Sequence, residues 1–441
     1  MASSMPPLPW TSLVRALCAG GLALLLAACA PRGELEPRHA PSHLEMPSPQ
    51  ADFGAYVAEV KAQIATANRA IGAVLHPQVI EDRAPFELEP DPERCPRTPE
   101  GRYMRAALLI HDLGETPYAM RAVGERLAAA CYLVRAILLP GHGTVPGDLL
   151  EVGYADWVEA TRSGALSFAG LADRLYLVGF SAGGTLALDY ALGEPQPTAP
   201  VLGGLVLLAP AITTRSGHWS LAWDHLVQGA LMPAGGFAQL LPDEDPVRYG
   251  SFARNAERQL DELIERVQDR ERPLPLPVFM ALSAADAVVD ATAARRWFCR
   301  QLIGPRDLVW YTSGAKSPDD CRFVESRASD QWPGILDLAH TALPIPPDDR
   351  RYGAAADRPD CAHYYWETDT PNWLICADPE NTPANSAVRY GEITEQNLAA
   401  HVIRRLTYNP DFDALVDRIL AFIAASPRPA PPVPEPKPAR S

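Results

Sequence analysis

Five short apolar runs, separated by segments of helical pattern, constrain the fold of this chain more than any other feature. The runs are residues 106–110, 134–139, 175–179, 204–209 and 278–282. Runs of this length that alternate with helical segments, such as 119–130 and 185–192, are typical of strands buried on both faces. The pattern therefore predicts an α/β protein whose mostly parallel central sheet is covered by helices on both faces.

Several further elements follow from the same kind of pattern. Two later apolar runs, 308–311 and 335–338, compete for the role of the final strand. An insertion at about 213–275 separates the fourth and fifth strands, and the apolar stripe in its second half predicts a helical cap. The aromatic residues in its first half, Trp219 and Trp223 among them, fit a pocket roof or buried core equally well. Other helices are predicted at 51–75, 395–406 and 411–424.

The two ends of the chain differ from the middle in composition. Residues 1–28 contain an apolar run, from 16 to 28, that is short for a membrane span but suits the core of a signal peptide. Residues 29–50 and 426–441 are rich in proline and cannot bury enough apolar surface to offset their ordering entropy. We therefore expect a flexible linker, one folded domain over 51–425, and a disordered tail.

The charge of the chain restricts its partners. The formal net charge is −15, and the acidic residues are spread along the chain rather than gathered in a tail. No Lys/Arg cluster stands out, so no nucleic-acid partner is expected. A negative surface also argues against purely electrostatic binding to anionic membranes.

The cysteines indicate an oxidising compartment. When Cys18 and Cys29 are set aside, six of the eight cysteines remain, and an even set in an exported protein is typical of disulfides. Six cysteines allow 15 pairings, of which we favour those between neighbours. The favoured pairs are Cys95 with Cys131, Cys299 with Cys321, and Cys361 with Cys376. A structural zinc site is the alternative, but no Cys-x-x-Cys pair supports it.

The segment 179–183, Gly-Phe-Ser-Ala-Gly, has the form G-x-S-x-G with Ser181 at its centre. The motif is weak by itself, because glycine is common enough for chance matches. Here a buried strand enters it and a helix-forming stretch leaves it. This strand–turn–helix setting predicts a strained turn that exposes a nucleophilic serine at the edge of the sheet.

Two glycine-containing loops follow the first and second strands: His111-Asp112-Leu113-Gly114 and Pro140-Gly141-His142-Gly143. With the serine motif they resemble the α/β-hydrolase superfamily, especially its esterase and monoacylglycerol-lipase-like branches. The resemblance implies that the backbone N–H groups of Leu113 and Ala182 form the oxyanion hole. His111 and His142 are then structural. Asp112 departs from the family, which usually has glycine there, and this puts the loop path and the strength of the hole in question.

The resemblance also implies an acid after the fifth strand and a histidine later in the chain. Asp286 matches the family's acid position, with Asp290 as the fallback. Of the later histidines, His340 follows the apolar run at 335–338, whereas His401 lies in a predicted helix and His363 in a loop between cysteines. The predicted triad is therefore Ser181, Asp286 and His340.

The N-terminal apolar run ends in Leu26-Ala27-Ala28-Cys29, which resembles a bacterial lipobox. This resemblance implies that Cys29 is lipidated and anchors the chain in a membrane, and an ordinary secretory signal is the alternative. Ala30 is not the aspartate that retains enterobacterial lipoproteins at the inner membrane. The expected location is therefore the cell envelope, at the outer membrane, facing the periplasm or the cell surface.

Together these features predict a serine hydrolase that cleaves small-molecule or lipid esters through an acyl-enzyme intermediate. No metal or organic cofactor is expected. The same triad could cleave a peptide or amide, or transfer the acyl group to an alcohol. A catalytically silent binding lipoprotein on the same scaffold is an alternative from another class, and a purely structural lipoprotein is the last.

Overall fold

The structure is a computed structural model that describes residues 35–213, 236–313, 321, 324–328, 331–356, 358–367, 371–378 and 388–426. Four predicted features lie outside the described residues. They are the signal peptide, the lipidation site Cys29, the tryptophan-containing first half of the insertion, and the proline-rich tail beyond residue 426.

The centre of the described part is an eight-stranded sheet with the order β1-β3-β2-β4-β5-β8-β9-β10. The edge strand β1 is antiparallel to β3, and all other neighbours in this sheet are parallel. Two small sheets, β6-β7 and β11-β12, lie outside it. The strands are β1 (Phe86–Leu88), β2 (Ala106–Ile110), β3 (Leu133–Ile137), β4 (Arg174–Phe180), β5 (Val201–Leu208), β6 (Phe237–Gln239), β7 (Phe252–Ala253), β8 (Val278–Ser283), β9 (Arg306–Thr312), β10 (Val324–Ala328), β11 (Val388–Gly391) and β12 (Val402–Arg405).

Helices cover both faces of the sheet. Alternate residues of each strand point to opposite faces, and β2 accordingly contributes Leu108 to one buried cluster and Leu109 to another. Helices α1, α4, α5 and α7 pack in the first cluster, and α3 and α10 in the second. The α-helices are α1 (Phe53–Ala70), α2 (Pro77–Arg83), α3 (Arg121–Ala129), α4 (Tyr154–Leu166), α5 (Ala182–Leu192), α6 (Arg254–Asp269), α7 (Ala291–Gln301), α8 (Pro371–Ala377), α9 (Glu395–Ala400) and α10 (Phe412–Ala425). In the part of the chain that the structure describes, no helix is both long enough and apolar enough to cross a membrane.

The prediction of a mostly parallel α/β sheet is confirmed. Each of the five apolar runs corresponds to a strand, namely β2, β3, β4, β5 and β8, although 134–139 and 204–209 extend past the ends of β3 and β5. The residues of β2 and β8 are buried throughout, which explains why these strands have no polar alternation. The helix predicted in the second half of the insertion is present as α6, and the helix at 411–424 is present as α10.

The interpretation of the final strand needs correction. The run 308–311 lies in β9, but 335–338 is not a strand and makes a single bridge, from Ile335 to Tyr390. The last strand of the sheet is β10, which pairs in parallel with β9. β10 is an edge strand that carries Glu325 and Arg327, and both side chains form ion pairs. Its polar sequence therefore gives no strand signal.

The helix predicted at 395–406 is too long. Helix α9 ends at Ala400, and His401 has an extended backbone, with φ at −146° and ψ at 160°. Val402–Arg405 then form β12, which pairs in parallel with β11. The β-branched Val402 and Ile403 favour a strand, and burial of Ile403 against the small sheet outweighs the helical pattern.

The linker prediction for 29–50 is wrong for the segment around His39. Residues 37–39 form a short 3-10 helix, and the buried imidazole of His39 is hydrogen-bonded to the Ser251 hydroxyl at 3.0 Å. The same ring packs edge-on against Phe237, with centroids 5.0 Å apart. One aromatic contact and one buried hydrogen bond thus fix this segment against the described part of the insertion.

The three predicted cysteine pairs are confirmed as disulfides: Cys95–Cys131, Cys299–Cys321 and Cys361–Cys376. Each pair is close in sequence, with separations of 36, 22 and 15 residues. The second disulfide ties α7 to the chain just before β10. The third ties Cys361, directly before the 3-10 helix at 362–367, to α8 beside the small sheet β11-β12. Both therefore stabilise the part of the fold that the apolar pattern predicts least well.

Candidate active site

Ser181 lies at a sharp turn between β4 and α5. Its backbone is strained, with φ at +51° and ψ at −113°. A Cβ on Gly179 would lie 2.2 Å from the carbonyl oxygen of Gly183, and one on Gly183 would lie 2.1 Å from that of Ile110. Both glycines of the motif are therefore required by sterics, because any side chain would collide with backbone. The motif forms the strand–turn–helix predicted for a nucleophile.

His340 and Asp286 meet near the carboxyl ends of the parallel strands. Nδ1 of His340 lies 2.7 Å from Oδ2 of Asp286, and the Asp286 side chain is completely buried. The other carboxylate oxygen accepts backbone N–H groups from Val288 and Val289, each at 2.8 Å. These bonds fix the orientation of the carboxylate. An acid held in this way fixes the histidine tautomer, with the proton on Nδ1 and Nε2 facing away.

The electrostatic surroundings of His340 favour its charged form. Burial alone would lower its pKa, but the carboxylates of Asp286 and Asp112 outweigh burial and raise the pKa well above the usual value. The ring also packs near Phe180, with centroids 5.1 Å apart. The two carboxylates therefore favour the imidazolium form of His340 in the free protein.

The backbone N–H groups of Leu113 and Ala182, the predicted oxyanion-hole donors, both point at a side chain of the protein itself. Oδ1 of Asp112 accepts the backbone N–H of Leu113 at 2.6 Å and that of Ala182 at 3.2 Å. Oδ2 of Asp112 lies 3.5 Å from Nε2 of His340, the distance of a loose ion pair. The hydroxyl of Ser181 also hydrogen-bonds to Asp112. The departure from glycine at position 112 thus places a carboxylate in the middle of the site.

His111 and His142 order the two loops beside the site. Nδ1 of His111 hydrogen-bonds to the Asp112 carbonyl at 2.7 Å, and its Nε2 accepts the N–H of Leu139 at 3.0 Å. Burial lowers the pKa of His111 to about 3 and that of His142 to about 4, so both rings are neutral. His142 stacks on Tyr249, with ring centroids 6.4 Å apart. These contacts agree with the structural role expected for both residues.

The remaining candidates lie elsewhere. Asp290, the fallback acid, caps α7 by accepting the N–H of Ala293 at 2.8 Å. His363 hydrogen-bonds to the carbonyl of Ile403 at 3.1 Å, and His401 is the residue that follows α9. Among the described residues, no group of three or more His, Cys, Asp or Glu side chains is arranged to hold a metal ion.

Glu392 is a residue of the site that sequence analysis did not identify. Its side chain is completely buried, and Oε2 accepts the backbone N–H of His340 at 2.9 Å. The same oxygen lies 3.5 Å from the N–H of Ala287, next to Asp286. Asp337, held by Asn397, accepts the N–H of Glu392 at 2.7 Å. Glu392 therefore ties the histidine loop to the acid loop. No sequence motif identifies Glu392, because it lies some fifty residues beyond His340. The small sheet β11-β12 brings it to the site.

The fold and these loops define the class of protein. A mostly parallel sheet, a strained serine turn after β4, and an acid and a histidine on later loops are the arrangement of an α/β-hydrolase. The chain has the α/β-hydrolase fold and is similar to esterases and monoacylglycerol lipases. Residues 103–314 match the family described as Hydrolase_4, serine aminopeptidase, S33.

Individual relatives match different shares of the chain. A thermostable monoacylglycerol lipase of Bacillus sp. (strain H-257) is 35% identical over 89 residues, which are 20% of this chain and 36% of the lipase. The chain thus spans about a third of that lipase. A carboxylesterase of Bacillus subtilis (strain 168) is 23% identical over 215 residues, covering 47% of this chain and 82% of the esterase. Among solved structures, a monoacylglycerol lipase of Paleococcus ferrophilus aligns with a TM-score of 0.40 and 20% identity, covering 52% of this chain and 88% of the lipase.

Proposed function

We propose that this chain is a serine hydrolase that cleaves carboxylic esters, with Ser181 as nucleophile, His340 as base and Asp286 as the acid that orients it. The observation that carries the proposal is the 2.7 Å contact between His340 and a buried, doubly hydrogen-bonded Asp286, with Ser181 at the strained turn. The similarity to a carboxylesterase and a monoacylglycerol lipase supports ester substrates.

The first half of the reaction forms an acyl-enzyme. Nε2 of neutral His340 takes the proton of the Ser181 hydroxyl while the oxygen attacks the ester carbonyl. The resulting oxyanion is stabilised by the N–H groups of Leu113 and Ala182, which already point at one position. When the tetrahedral intermediate collapses, the imidazolium gives its proton to the departing alcohol.

The second half releases the acid. A water molecule loses a proton to Nε2 of His340 as it attacks the acyl carbonyl, and the same donors stabilise the second oxyanion. The proton then returns to Ser181 as the acid leaves. Throughout both halves Asp286 keeps its contact with Nδ1 of His340 and stabilises the imidazolium, while its two backbone bonds hold the carboxylate in place.

The proposal is tested by hydrolysis of nitrophenyl esters of increasing acyl length, with matched nitroanilides as amide substrates and the purified full-length chain as enzyme. We expect turnover of esters with a definite optimum in chain length, and turnover of the anilides that is slower by about 10² or more, because amines are poorer leaving groups. Faster cleavage of the anilides would assign the same triad to peptides or amides instead.

A second candidate is a binding protein on the same scaffold that does not turn over substrate. One observation favours it: the Asp112 carboxylate fills the position that the oxyanion must occupy. A fluorophosphonate probe separates the two candidates, because it labels only an activated serine. A folded chain that is never labelled and hydrolyses no ester would support the binding protein.

We also propose that Cys29 is lipidated and anchors the chain in the cell envelope, at the outer membrane, facing the periplasm or the cell surface. The lipobox-like residues 26–29 support this, and three disulfides fit an oxidising compartment. We expect an alkyne-tagged palmitate to label the wild-type chain in bacterial cells, and the chain to fractionate with the outer membrane. Cys29→Ser should lose both properties. Equal labelling of the two chains, or no labelling of either, would contradict the anchor.

A further inference from the structure

Asp112 contacts the nucleophile, the base and both backbone donors of the proposed mechanism. Its carboxylate accepts the two N–H groups that should hold the oxyanion, approaches Nε2 of His340, and accepts the hydroxyl of Ser181. Only 12% of its side chain is exposed. Two backbone donors that converge on one oxygen at 2.6 and 3.2 Å are what a tetrahedral oxyanion requires. Oδ1 of Asp112 therefore mimics the negatively charged oxygen of the intermediate.

We propose that Asp112 is an autoinhibitory residue, whose carboxylate closes the oxyanion hole of the free enzyme and must be displaced by the carbonyl oxygen of the substrate before Ser181 attacks. The inference rests on the proposed ester hydrolysis, because it concerns the same serine, histidine and backbone donors. It explains how an aspartate is accommodated at a position where glycine is usual in similar hydrolases.

The same carboxylate also controls the base. While the Asp112 carboxylate lies 3.5 Å from Nε2, its negative charge favours the imidazolium form of His340, and that form cannot accept the Ser181 proton. Displacement is easiest if the Nε2 proton passes to the carboxylate: one N–H bond breaks, one O–H bond forms, and the pair becomes neutral. Asp112 then leaves the hole as an uncharged acid, which costs far less than moving an unpaired carboxylate through a buried site. Neutral His340 remains, with its proton on Nδ1 facing Asp286.

Few other charges act on Asp112 in the described part of the site. Glu115, on the same loop, forms an ion pair with Arg248 at 2.6 Å, and burial raises its pKa to about 7 despite that arginine. His111 and His142 are neutral, and Asp286 faces Asp112 from behind the imidazole. A substitution of Asp112 should therefore act mainly on the pKa of His340.

Two substitutions test the proposal. Asp112→Gly removes the carboxylate and leaves the donors open, so we expect kcat/KM and the rate constant of fluorophosphonate labelling to rise by ~10-fold or more, since one such donor is typically worth 10²–10³. Asp112→Asn keeps an acceptor oxygen in the hole but removes the charge. The pKa of His340 should then fall, and because His340 must be neutral to act as base, the acidic limb of kcat/KM should move to lower pH by about one unit or more.

The control is Asp173→Asn, which removes a carboxylate paired with Arg102 at the surface and should change neither quantity. A tenfold loss of activity in both Asp112 variants, at an unchanged Tm, would show that the carboxylate assists catalysis and would overturn the proposal. Labelling of Asp112→Gly at the wild-type rate would also overturn the proposal.

In either case wild-type turnover that depends on Ser181 would leave the proposed hydrolysis standing. If Asp112→Gly does not fold, the pH dependence of kcat/KM for Asp112→Asn is the test. An acidic limb that stays at the wild-type pH would then overturn the proposal. Absence of turnover and labelling in the wild type and both variants would overturn both proposals.

Discussion

Ser181→Ala is expected to lower kcat/KM for a nitrophenyl ester by at least ~10⁴-fold and to abolish fluorophosphonate labelling. The substitution removes only the hydroxyl group. Alanine fits the turn because Ser181 is held in the fold by hydrogen bonds of its backbone. Its N–H donates to Leu208 and its carbonyl accepts the N–H of Gly184. The catalytic loss should therefore come without loss of the fold, and Tm should change little. Initial rates and Tm, measured on the same preparation, check both parts.

The matched control is Ser163→Ala, which removes a serine hydroxyl on α4 that is hydrogen-bonded to Glu159. We expect wild-type turnover and labelling for this variant. Substantial activity in folded Ser181→Ala would exclude Ser181 as the nucleophile, whatever the histidine and acid do. Loss of activity in both serine variants would point to a general effect on the preparation.

The parts of the fold that local sequence determines were predictable. Strands β2 and β8 are buried on every side, so all of their residues except Ser283 are apolar and differ clearly from the flanking sequence. The serine turn is also recognisable from local sequence, because its two glycines flank the serine. Gly179 is required by a contact within the turn, whereas Gly183 is required by a contact with β2. Neighbouring cysteines paired as expected because short loops bring their sulfurs together at a small entropic cost.

Elements at the edge of the molecule were not predictable in the same way. β10 is recognisable only through its pairing with β9, because Glu325 and Arg327 give it a polar sequence. β12 continues a helical pattern and becomes a strand through burial of Ile403. Glu392 reaches the histidine loop only because the small sheet folds back onto it. These outcomes depend on long-range contacts that no local pattern contains.

In the candidate site, too, the sequence predicts some features of the side chains and not others. Chain order placed Ser181, Asp286 and His340 on successive loops at one edge of the sheet, and this is where the structure brings His340 and Asp286 together. The sequence shows that Asp112 replaces the usual glycine, but it does not predict where the Asp112 carboxylate points. That direction follows from the convergence of two N–H donors and an imidazolium on one small volume, where a carboxylate satisfies all three.

Asp286→Asn is expected to lower kcat/KM by roughly 10³–10⁴-fold with little change in Tm. The amide oxygen of asparagine should keep the two backbone N–H bonds that now hold Oδ1 of Asp286. Its NH₂ group would then face Nδ1 of His340, which lies 2.7 Å from Oδ2 in the present structure. A donor there places the imidazole proton on Nε2, and that tautomer cannot accept the proton of Ser181. The lost charge also removes the main support for the imidazolium.

Asp290→Asn is the matched comparison, because the same chemical change is made four residues away in the same loop. Asp290 caps α7 through the N–H of Ala293, and asparagine caps helices about as well as aspartate, so kcat/KM should stay within about twofold of wild type. The two variants differ only in which carboxylate faces the histidine. Were Asp290→Asn the inactive one, the acid would be misassigned. Full activity in both would mean that no carboxylate on this loop fixes the tautomer, which is incompatible with a buried 2.7 Å contact between His340 and Asp286 that serves catalysis.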